Sequence, residues 1–242
     1  MRFVIESHEP LTQNVYHMRL SGDTRAIVRP GQFVQVQLPS FYLRRPISVC
    51  DWRPGEEGTL DLIYKVVGLG TEAMSHYAAG TELDLLTGLG NGFDVDRLDE
   101  VTASQFPLYG LCKKLLAECK EPRVILGFNT AAEVFWQREF EVLGVPLTVT
   151  TADGTQGVKG FVTDAMVPLE GKYDYVYACG PEPMLRAVHA VCERQDIHGQ
   201  FSFEERMACG FGVCMGCSCK TRYGSKRICK DGPVLRREEI LW

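Results

Sequence analysis

The sequence predicts a small antiparallel β-barrel, then an α/β domain with a parallel sheet, then a short cysteine-rich segment. Three observations support this fold class. Short alternating apolar runs fill the first part of the chain, strand-like and helix-like patterns alternate in the middle, and cysteines and glycines concentrate near the C-terminus. At 242 residues the chain is long enough for two modest domains, each with its own core.

The composition of the chain restricts the kinds of partner that we expect it to have. The net charge of −5 is the balance of 26 basic and 31 acidic side chains, and no basic run stands out, so we do not expect a nucleic-acid partner. No apolar run reaches the roughly 18 residues that span a bilayer, and the N-terminus lacks the apolar region of a signal peptide. We therefore expect no membrane association and a cytoplasmic location.

Residues 1–93 carry the barrel pattern. Turn pairs such as Pro30-Gly31 and Pro54-Gly55 separate the runs, because proline fixes one dihedral angle and glycine accepts a positive φ. Six runs at close spacing predict a closed six-stranded antiparallel sheet; they are residues 3–5, 15–20, 33–38, 47–50, 60–67 and 83–86.

In residues 94–200, strand-like patterns alternate with helix-like patterns. Short apolar runs at 124–128, 147–151 and 173–179 predict strands, and helical spacing follows Pro107 and Pro181. Thr130 and Glu133 have the spacing of a capping box, which predicts that a helix starts there and ends near Gly144. This alternation is typical of parallel strands with crossover helices, as in nucleotide-binding domains.

Residues 201–242 contain the strongest chemical motif. Cys209, Cys214 and Cys217 have C-x4-C-x2-C spacing in a glycine-rich loop, and Cys229 follows downstream, which matches the plant-type pattern for a [2Fe-2S] cluster. Structural zinc is an alternative for four thiolates, although such sites usually consist of two C-x2-C pairs. A disulfide framework is disfavoured in a chain of this length without a secretory signal. A strand-like backbone would turn Cys219 away from Cys217, so we interpret it as a spectator and the obvious substitute ligand.

A second candidate site lies in the barrel region. Arg44 and Arg45 precede an otherwise apolar strand, and a guanidinium there could pair with a diphosphate. Gly68-Leu-Gly70-Thr71 precedes a helix-like stretch and offers backbone N–H groups and a hydroxyl to a phosphate. Together these residues indicate a site for an anionic cofactor.

These segments resemble known proteins. Residues 45–48, 63–65, 70–71 and 88–93 resemble the FAD-binding domain of the ferredoxin-NADP reductase superfamily. Residues 204–217 and 229–234 resemble the cluster segment of the iron-sulfur electron-transfer subunit of the NAD-linked (class 1B) dihydroorotate dehydrogenase, and the likeness extends over almost the whole chain.

The resemblance implies a site for each cofactor. The diphosphate side of FAD would contact Arg45, Pro46, Ile47, Ser48, Gly70 and Thr71, and the rest of the flavin would lie along Ile63, Tyr64 and Lys65. Cys179 and Gly180 would contact the nicotinamide of NAD. The cluster ligands would be Cys209, Cys214, Cys217 and Cys229.

The resemblance also implies a function. The chain would be an oxidoreductase subunit of pyrimidine biosynthesis that passes electrons between a partner's flavin, the cluster, FAD and NAD. The partner would be the FMN-bearing catalytic subunit, which itself oxidises dihydroorotate, in a heterotetramer of two chains of each kind. No catalytic acid or base is expected here, because the five histidines are scattered and the sequence offers no convincing histidine–carboxylate pair.

Two alternatives stay open. The chain also resembles related flavin and iron-sulfur reductase subunits, such as the small subunit of NADH-dependent ferredoxin-NADP oxidoreductase, where the first cluster ligand is often Asp and not cysteine as at Cys209. The other alternative is a zinc-stabilised interaction module.

One stretch departs from the family pattern. The family has a hydrophobic strand and a glycine-rich turn that grips the phosphates of NAD. No glycine occurs here between Gly92 and Gly110, and we expect the strand, which should be central to the parallel sheet, to be too short or absent. Either these residues are deleted, which predicts impaired NAD binding, or the printed sequence lacks a segment. Since losing a central strand would cost more than the roughly 5–15 kcal/mol that stabilises a domain, we favour the second explanation. A protein mass clearly above 27.1 kDa would confirm it.

Overall fold

The computed structural model describes residues 1–95, 100–104 and 108–242, with only the backbone described for 100–104. The chain forms two compact units. The first consists of Met1–Phe93, Glu205–Cys219 and Ser225–Pro233. The second consists of Asp94–Glu204, Lys220–Gly224 and Val234–Trp242. The C-terminal residues therefore contribute to both units.

The first unit contains the predicted barrel. Its six strands are β1 (Arg2–Pro10), β2 (Val15–Gly22), β3 (Phe33–Val36), β4 (Arg45–Arg53), β5 (Gly58–Lys65) and β6 (Glu82–Leu89). They close in the order β1-β2-β5-β4-β3-β6, and every neighbouring pair is antiparallel. The six-stranded antiparallel barrel is confirmed.

Alternation along the strands fills the barrel interior. On β3, Val34 and Val36 are fully buried in the apolar core, and their neighbours Phe33 and Gln35 face the opposite side of the sheet. Helix α1 (Leu69–Ser75) follows β5 and contributes Met74 to the same core.

The second unit contains a seven-stranded sheet. Its strands are β7 (Glu100–Ser104), β8 (Glu121–Phe128), β9 (Leu147–Thr151), β10 (Val158–Lys159), β11 (Tyr175–Cys179), β12 (His198–Ser202) and β15 (Val234–Arg236), in the order β10-β9-β8-β7-β11-β12-β15. All pairs are parallel except β12 with β15. The parallel sheet is confirmed, and the antiparallel edge strand is an addition that the sequence analysis did not predict.

The sheet is accompanied by helices α2 (Leu108–Ala117), α3 (Gln137–Val142), α4 (Val162–Met166) and α5 (Glu182–Gln195). Short 3-10 turns occupy Ala131–Glu133, Val167–Leu169 and Arg237–Glu239. The remaining elements are a hairpin of β13 (Ser218–Thr221) and β14 (Gly224–Arg227), and the one-turn helix α6 (Ile228–Asp231). No helix in the described part of the chain is long and apolar enough to cross a membrane.

The central strand that appeared too short or absent in the sequence is present. Strand β7 pairs with β8 on one side and with β11 on the other, so both neighbours keep their ladder partners. The prediction failed because only five residues form this strand, and a central strand is stabilised by pairing on both edges more than by its own propensity. A missing segment is therefore not required for this sheet to keep its central strand. The expected absence of a glycine-rich turn falls partly on residues 105–107, which lie outside the described residues.

The predicted capping box at Thr130 is wrong. The side chain of Thr130 does not cap a helix, and the next α-helix, α3, begins after Trp136. Glu133 accepts hydrogen bonds from the backbone and side-chain amides of Asn129, at 3.2 and 2.8 Å. Because that carboxylate is already engaged, residues 131–133 form only a single 3-10 turn.

Candidate functional site

The cysteine loop is held in a tight curve by its glycines. Gly210 and Gly212 have φ angles of 78° and 88°, in the left-handed region that favours glycine. The backbone N–H of Ile228 donates to the carbonyl of Cys217 over 3.1 Å, which brings the downstream Cys229 beside the loop. All of these residues belong to the first unit.

The four predicted ligands form two pairs. Cys214 donates its backbone N–H to Sγ of Cys209 over 3.5 Å, and Cys229 donates its backbone N–H to Sγ of Cys217 over 3.4 Å, so Cys209 is associated with Cys214 and Cys217 with Cys229. Cys229 directly follows Ile228, which is bonded to the carbonyl of Cys217, and only two residues separate Cys217 from Cys214, so the two pairs are close to each other. Burial, followed by the contact with Cys217, raises the pKa of Cys229 to about 12. The structure therefore brings all four predicted thiols together.

Backbone N–H groups converge on the sulfur of Cys209. Val213 and Cys214 donate to Sγ of Cys209 over 3.3 and 3.5 Å, and the N–H of Phe211 adds a further bond. Burial opposes ionisation of this thiol, but the amides outweigh it and lower the pKa of Cys209 to about 6. This environment stabilises negative charge on the sulfur of Cys209.

The sulfurs of Cys214 and Cys217 also accept hydrogen bonds from backbone N–H groups. Gly216 donates its N–H to Sγ of Cys214 over 3.4 Å, and Cys229 donates its own N–H to Sγ of Cys217 over 3.4 Å. Amide donors to thiolates hold ligands in place and stabilise charge on an iron-sulfur centre.

The arrangement in pairs fits a two-iron cluster better than a zinc ion. Among the residues that the structure describes, no three His, Cys, Asp or Glu side chains converge on a point that could hold one metal ion. A structural zinc requires four ligands around a single ion. In a [2Fe-2S] cluster two irons share the four thiolates, so each needs only a pair. The donor set therefore fits a [2Fe-2S] cluster.

The predicted spectator, Cys219, lies on β13 and is half-buried. Burial, followed by the charge of Glu205, raises the pKa of its thiol. Its environment thus differs from that of Cys209, where amides favour the thiolate.

On the barrel, Arg45, Gly70 and Thr71 lie close together. A Cβ at position 70 would stand 2.1 Å from Nε and 2.7 Å from Cζ of Arg45, so the guanidinium packs directly against the backbone of Gly70. The guanidinium carbon is 4.9 Å from the centroid of the Phe41 ring. Oγ1 of Thr71 accepts a hydrogen bond from the N–H of Val67 over 2.9 Å, which shapes the loop before α1.

Large apolar side chains that are near Arg45 or Gly70 in the sequence are exposed to solvent. Tyr42 is 99% exposed, Val67 80% and Leu69 75%. A ligand that combines an aromatic ring system with phosphates would cover such a surface and pair with Arg45. These residues therefore fit a flavin dinucleotide.

The other predicted flavin contacts are distributed over two adjacent strands. Pro46 and Ser48 are half-buried on β4, whereas Ile47 faces the barrel core. On β5, Ile63 is buried and Lys65 exposed.

Tyr64 differs from its neighbours because its side chain belongs to the barrel core. Its hydroxyl is 2.9 Å from Nε2 of His8, and burial raises its pKa.

Within the second unit, the predicted nicotinamide contacts end strand β11. Cys179 is fully buried, and Gly180 follows it immediately before Pro181 and helix α5. Burial, followed by the charge of Glu204, raises the pKa of the Cys179 thiol, while a hydrogen bond with Ser202 opposes the rise.

Glu204 is a candidate residue that the sequence analysis missed. Its side chain reaches solvent, yet enough protein surrounds the carboxyl that desolvation raises its pKa. Its neighbour Cys179 is paired in register with Ser202, the last residue of β12, and Glu204 lies two residues farther along the chain. The strand order of the sheet, which the sequence does not provide, would have been the signal to find it.

The structure also contains a histidine–carboxylate pair that the sequence did not reveal. Nε2 of His17 lies 2.7 Å from Oδ1 of Asp61, and Arg19 donates two hydrogen bonds to the same carboxylate, at 2.9 and 3.0 Å. Although burial opposes it, these partners lower the pKa of Asp61. A carboxylate neutralised in this way between β2 and β5 stabilises the barrel, and we assign it no role in proton transfer.

Comparison with known proteins identifies the family. Residues 204–241 match the model of the iron-sulfur cluster binding domain of dihydroorotate dehydrogenase B. The electron transfer subunit of dihydroorotate dehydrogenase B (NAD(+)) from Geobacillus sp. (strain WCH70) is 36% identical over 257 residues, which covers 99% of this chain and 98% of that protein. This chain belongs to the family of dihydroorotate dehydrogenase B electron transfer subunits.

A second family member, from Fusobacterium nucleatum, is also 36% identical and covers 98% of this chain and 96% of its own length. Members of this family are oxidoreductase subunits that work with a catalytic subunit, as the term electron transfer subunit states. The alignments span 257 and 255 positions and so exceed the 242 residues of this chain. Some positions of these relatives therefore align with no residue of this sequence.

Solved structures support the same fold. The structure described as the NADH-dependent reduced ferredoxin-NADP oxidoreductase has a TM-score of 0.89 and 29% identity, covering 99% of this chain and 89% of its own. A ferredoxin NADP+ reductase from Neisseria gonorrhoeae has a TM-score of 0.68 at 13% identity, covering 81% and 91%, and shows the fold alone. The predicted superfamily is confirmed.

Proposed function

We propose that this chain carries electrons between a catalytic dihydroorotate dehydrogenase subunit and NAD, using a [2Fe-2S] cluster on Cys209, Cys214, Cys217 and Cys229 and an FAD on the barrel. The observation that carries the proposal is the pairing of these four thiols beneath backbone N–H donors. In pyrimidine biosynthesis the electrons would run from the partner to NAD.

Each group of residues has its own task in this proposal. When bound, FAD and the cluster would supply the exchange between two-electron hydride transfer and one-electron transfer. Arg45 would neutralise the FAD diphosphate beside Gly70 and Thr71. The amides around Cys209 would stabilise negative charge on the cluster, and the buried Cys179 with Gly180 would face the nicotinamide.

NAD binding would be the weakest part of the relay. Residues 93–109 contain no glycine, so the close approach of backbone to a pyrophosphate is not available there in its usual form.

The proposed partner carries FMN and assembles with this chain as a heterotetramer of two chains of each kind. We place its docking surface over the cluster loop, where Phe211, Val213 and Met215 are 53%, 73% and 54% exposed. Neighbouring apolar side chains open to solvent are typical of a protein interface. Docking there would also leave a short path between the cluster and the flavin of the partner.

The cofactor content of the purified complex tests the relay directly. We expect about two iron atoms per chain bound as a [2Fe-2S] cluster and about one FAD, with the two visible absorption bands of a flavin and a brown shoulder from the ferric cluster. Elemental analysis and the absorption spectrum measure both. A colourless protein with zinc and no iron would instead support the interaction module.

The docking surface is tested by Val213→Glu. We expect at least about a tenfold rise in the Kd for the catalytic subunit, because an unpaired carboxylate would be buried in an apolar contact. Isothermal titration measures the Kd, and the spectrum of the cluster checks that the loop is intact. Val142→Glu on α3 is the matched control, because Val142 is 77% exposed and lies in the second unit. Equal affinities of the two variants would remove the cluster loop from the interface.

A further inference from the structure

Gln35 is a buried side chain without a hydrogen-bond partner. It is fully buried on β3, and neither its Nε2 nor its Oε1 makes a hydrogen bond within the part of the chain that the structure describes. A buried amide without partners is costly, since it loses its bonds to water and gains none in return. This position therefore calls for a specific explanation.

Two other buried glutamines show that the fold normally satisfies this side chain. Oε1 of Gln32 accepts from the N–H groups of Val28 and Arg29, and its Nε2 donates to the carbonyl of Gly90. Gln200 is likewise bonded at both ends, to the backbone of Asp94 and to the hydroxyl of Tyr175. The lack of hydrogen bonds to the side-chain amide of Gln35 is therefore specific to its location.

The location of Gln35 is next to the cluster loop. Val34 and Val36 point into the barrel core, so Gln35 points to the outer face of the barrel. A Cβ at Gly210 would stand 2.2 Å from Nε2 and 2.7 Å from Cδ of Gln35, so the amide packs against the backbone of Gly210. Gly210 directly follows the ligand Cys209, and both belong to the same unit as Gln35.

We propose that Nε2 of Gln35 donates a hydrogen bond to the sulfur side of the [2Fe-2S] cluster at Cys209 and thereby raises the reduction potential of the cluster. The inference rests on the proposed function. Sulfide and thiolate sulfurs accept hydrogen bonds, so they suit the donor end of an amide. Reduction adds negative charge to the cluster, and a donor stabilises that charge more than it stabilises the oxidised form. Gln35 would complement the loop amides by donating to the cluster from the side of the barrel.

Gln35→Leu removes the donor and keeps a similar volume. In the complex with the catalytic subunit, we expect the reduced-to-oxidised ratio of the cluster to fall about tenfold at a fixed potential, a shift of about 59 mV to more negative values for a one-electron couple. A redox titration followed by electron paramagnetic resonance measures the cluster, and the visible spectrum measures the flavin in the same titration. The flavin potential should not change.

Gln37→Leu is the matched control. Gln37 follows β3, lies two residues from Gln35 on the same side, is half-buried, and donates its Nε2 to the carbonyl of Leu38 over 3.3 Å. We expect neither potential to move in this variant. An unchanged cluster potential in Gln35→Leu would overturn the inference, as would a shift of the flavin in place of the cluster.

If Gln35→Leu cannot bind the cluster, a measurement on the unsubstituted protein tests the hydrogen bond between Gln35 and the cluster. With ¹⁵N in the glutamine side-chain amides, the reduced cluster should show a hyperfine coupling to a glutamine nitrogen. Absence of that coupling in a protein with a normal cluster signal would contradict the role of Gln35 alone. Absence of any cluster signal in the unsubstituted protein would contradict the proposed function itself.

Discussion

Replacing Cys214 by serine is expected to lower NAD-linked dihydroorotate oxidation by more than the roughly 10- to 100-fold that loss of an outer-shell partner costs at a metal site. Cys214 is paired with Cys209 and receives the N–H of Gly216. Serine is a harder ligand than the thiolate that iron-sulfur clusters require, so one iron would lose its pair. The catalytic subunit should still reduce an artificial acceptor, because its own flavin is untouched. Parallel assays with NAD and with the artificial acceptor separate the two activities.

Cys219→Ser is the control for this loss. Cys219 is only half-buried and lies two residues beyond Cys217, yet the structure gives it no place in either thiol pair. We expect full NAD-linked activity and an unchanged cluster spectrum. If Cys214→Ser kept its NAD reduction, electrons would not pass through this cluster and the relay would be wrong.

The sequence predicts the cluster loop well because its geometry is local. Cys209, Cys214 and Cys217 are separated by short glycine-rich spacers, so the spacing alone restricts how the sulfurs can be arranged. Cys229 is farther along the chain and depends on the bond between Ile228 and Cys217. Here the resemblance to the family supplied what spacing could not.

Secondary structure was predictable where periodicity is strong. The six alternating runs gave all six barrel strands, although their ends moved by several residues. Strand β7 was underestimated because its stability depends on pairing with β8 and β11. The helix expected at Thr130 failed because Glu133 bonds with Asn129, a competing local contact that is one residue longer than the capping box.

The residues that sequence analysis missed are defined by tertiary contacts. Gln35 lies in an ordinary strand sequence, and only its packing against Gly210 distinguishes it from Gln32. Glu204 is significant because β12 lies beside β11 and brings it near Cys179. No short-range pattern carries either fact, since both depend on the order of strands or on the folding of a distant loop.

Replacing Arg45 by glutamine is expected to raise the Kd for FAD about a hundredfold. Arg45 packs over Gly70 with its guanidinium stacked on Phe41, whereas its neighbour Arg44 is paired with Asp84 over 2.6 Å. A bidentate pair with a diphosphate contributes hydrogen bonds to charged groups of about 1.5–3 kcal/mol each, and about 3 kcal/mol corresponds to a hundredfold in affinity. Quenching of FAD fluorescence on addition of apoprotein measures the Kd, and gel filtration measures the flavin retained.

Two further variants separate charge from geometry and location. Arg45→Lys keeps the charge but loses the planar fork, so we expect an intermediate loss of about tenfold. Arg53→Gln, at the opposite end of the same strand, removes an exposed guanidinium that bonds to the carbonyl of Glu57, and it should bind FAD normally. Each of the three variants changes one side chain on β4, so a general loss of barrel stability would weaken FAD binding in all three. Wild-type affinity in Arg45→Gln would show that the diphosphate binds elsewhere, and the packing of Arg45 against Gly70 and Phe41 would then have only a structural role.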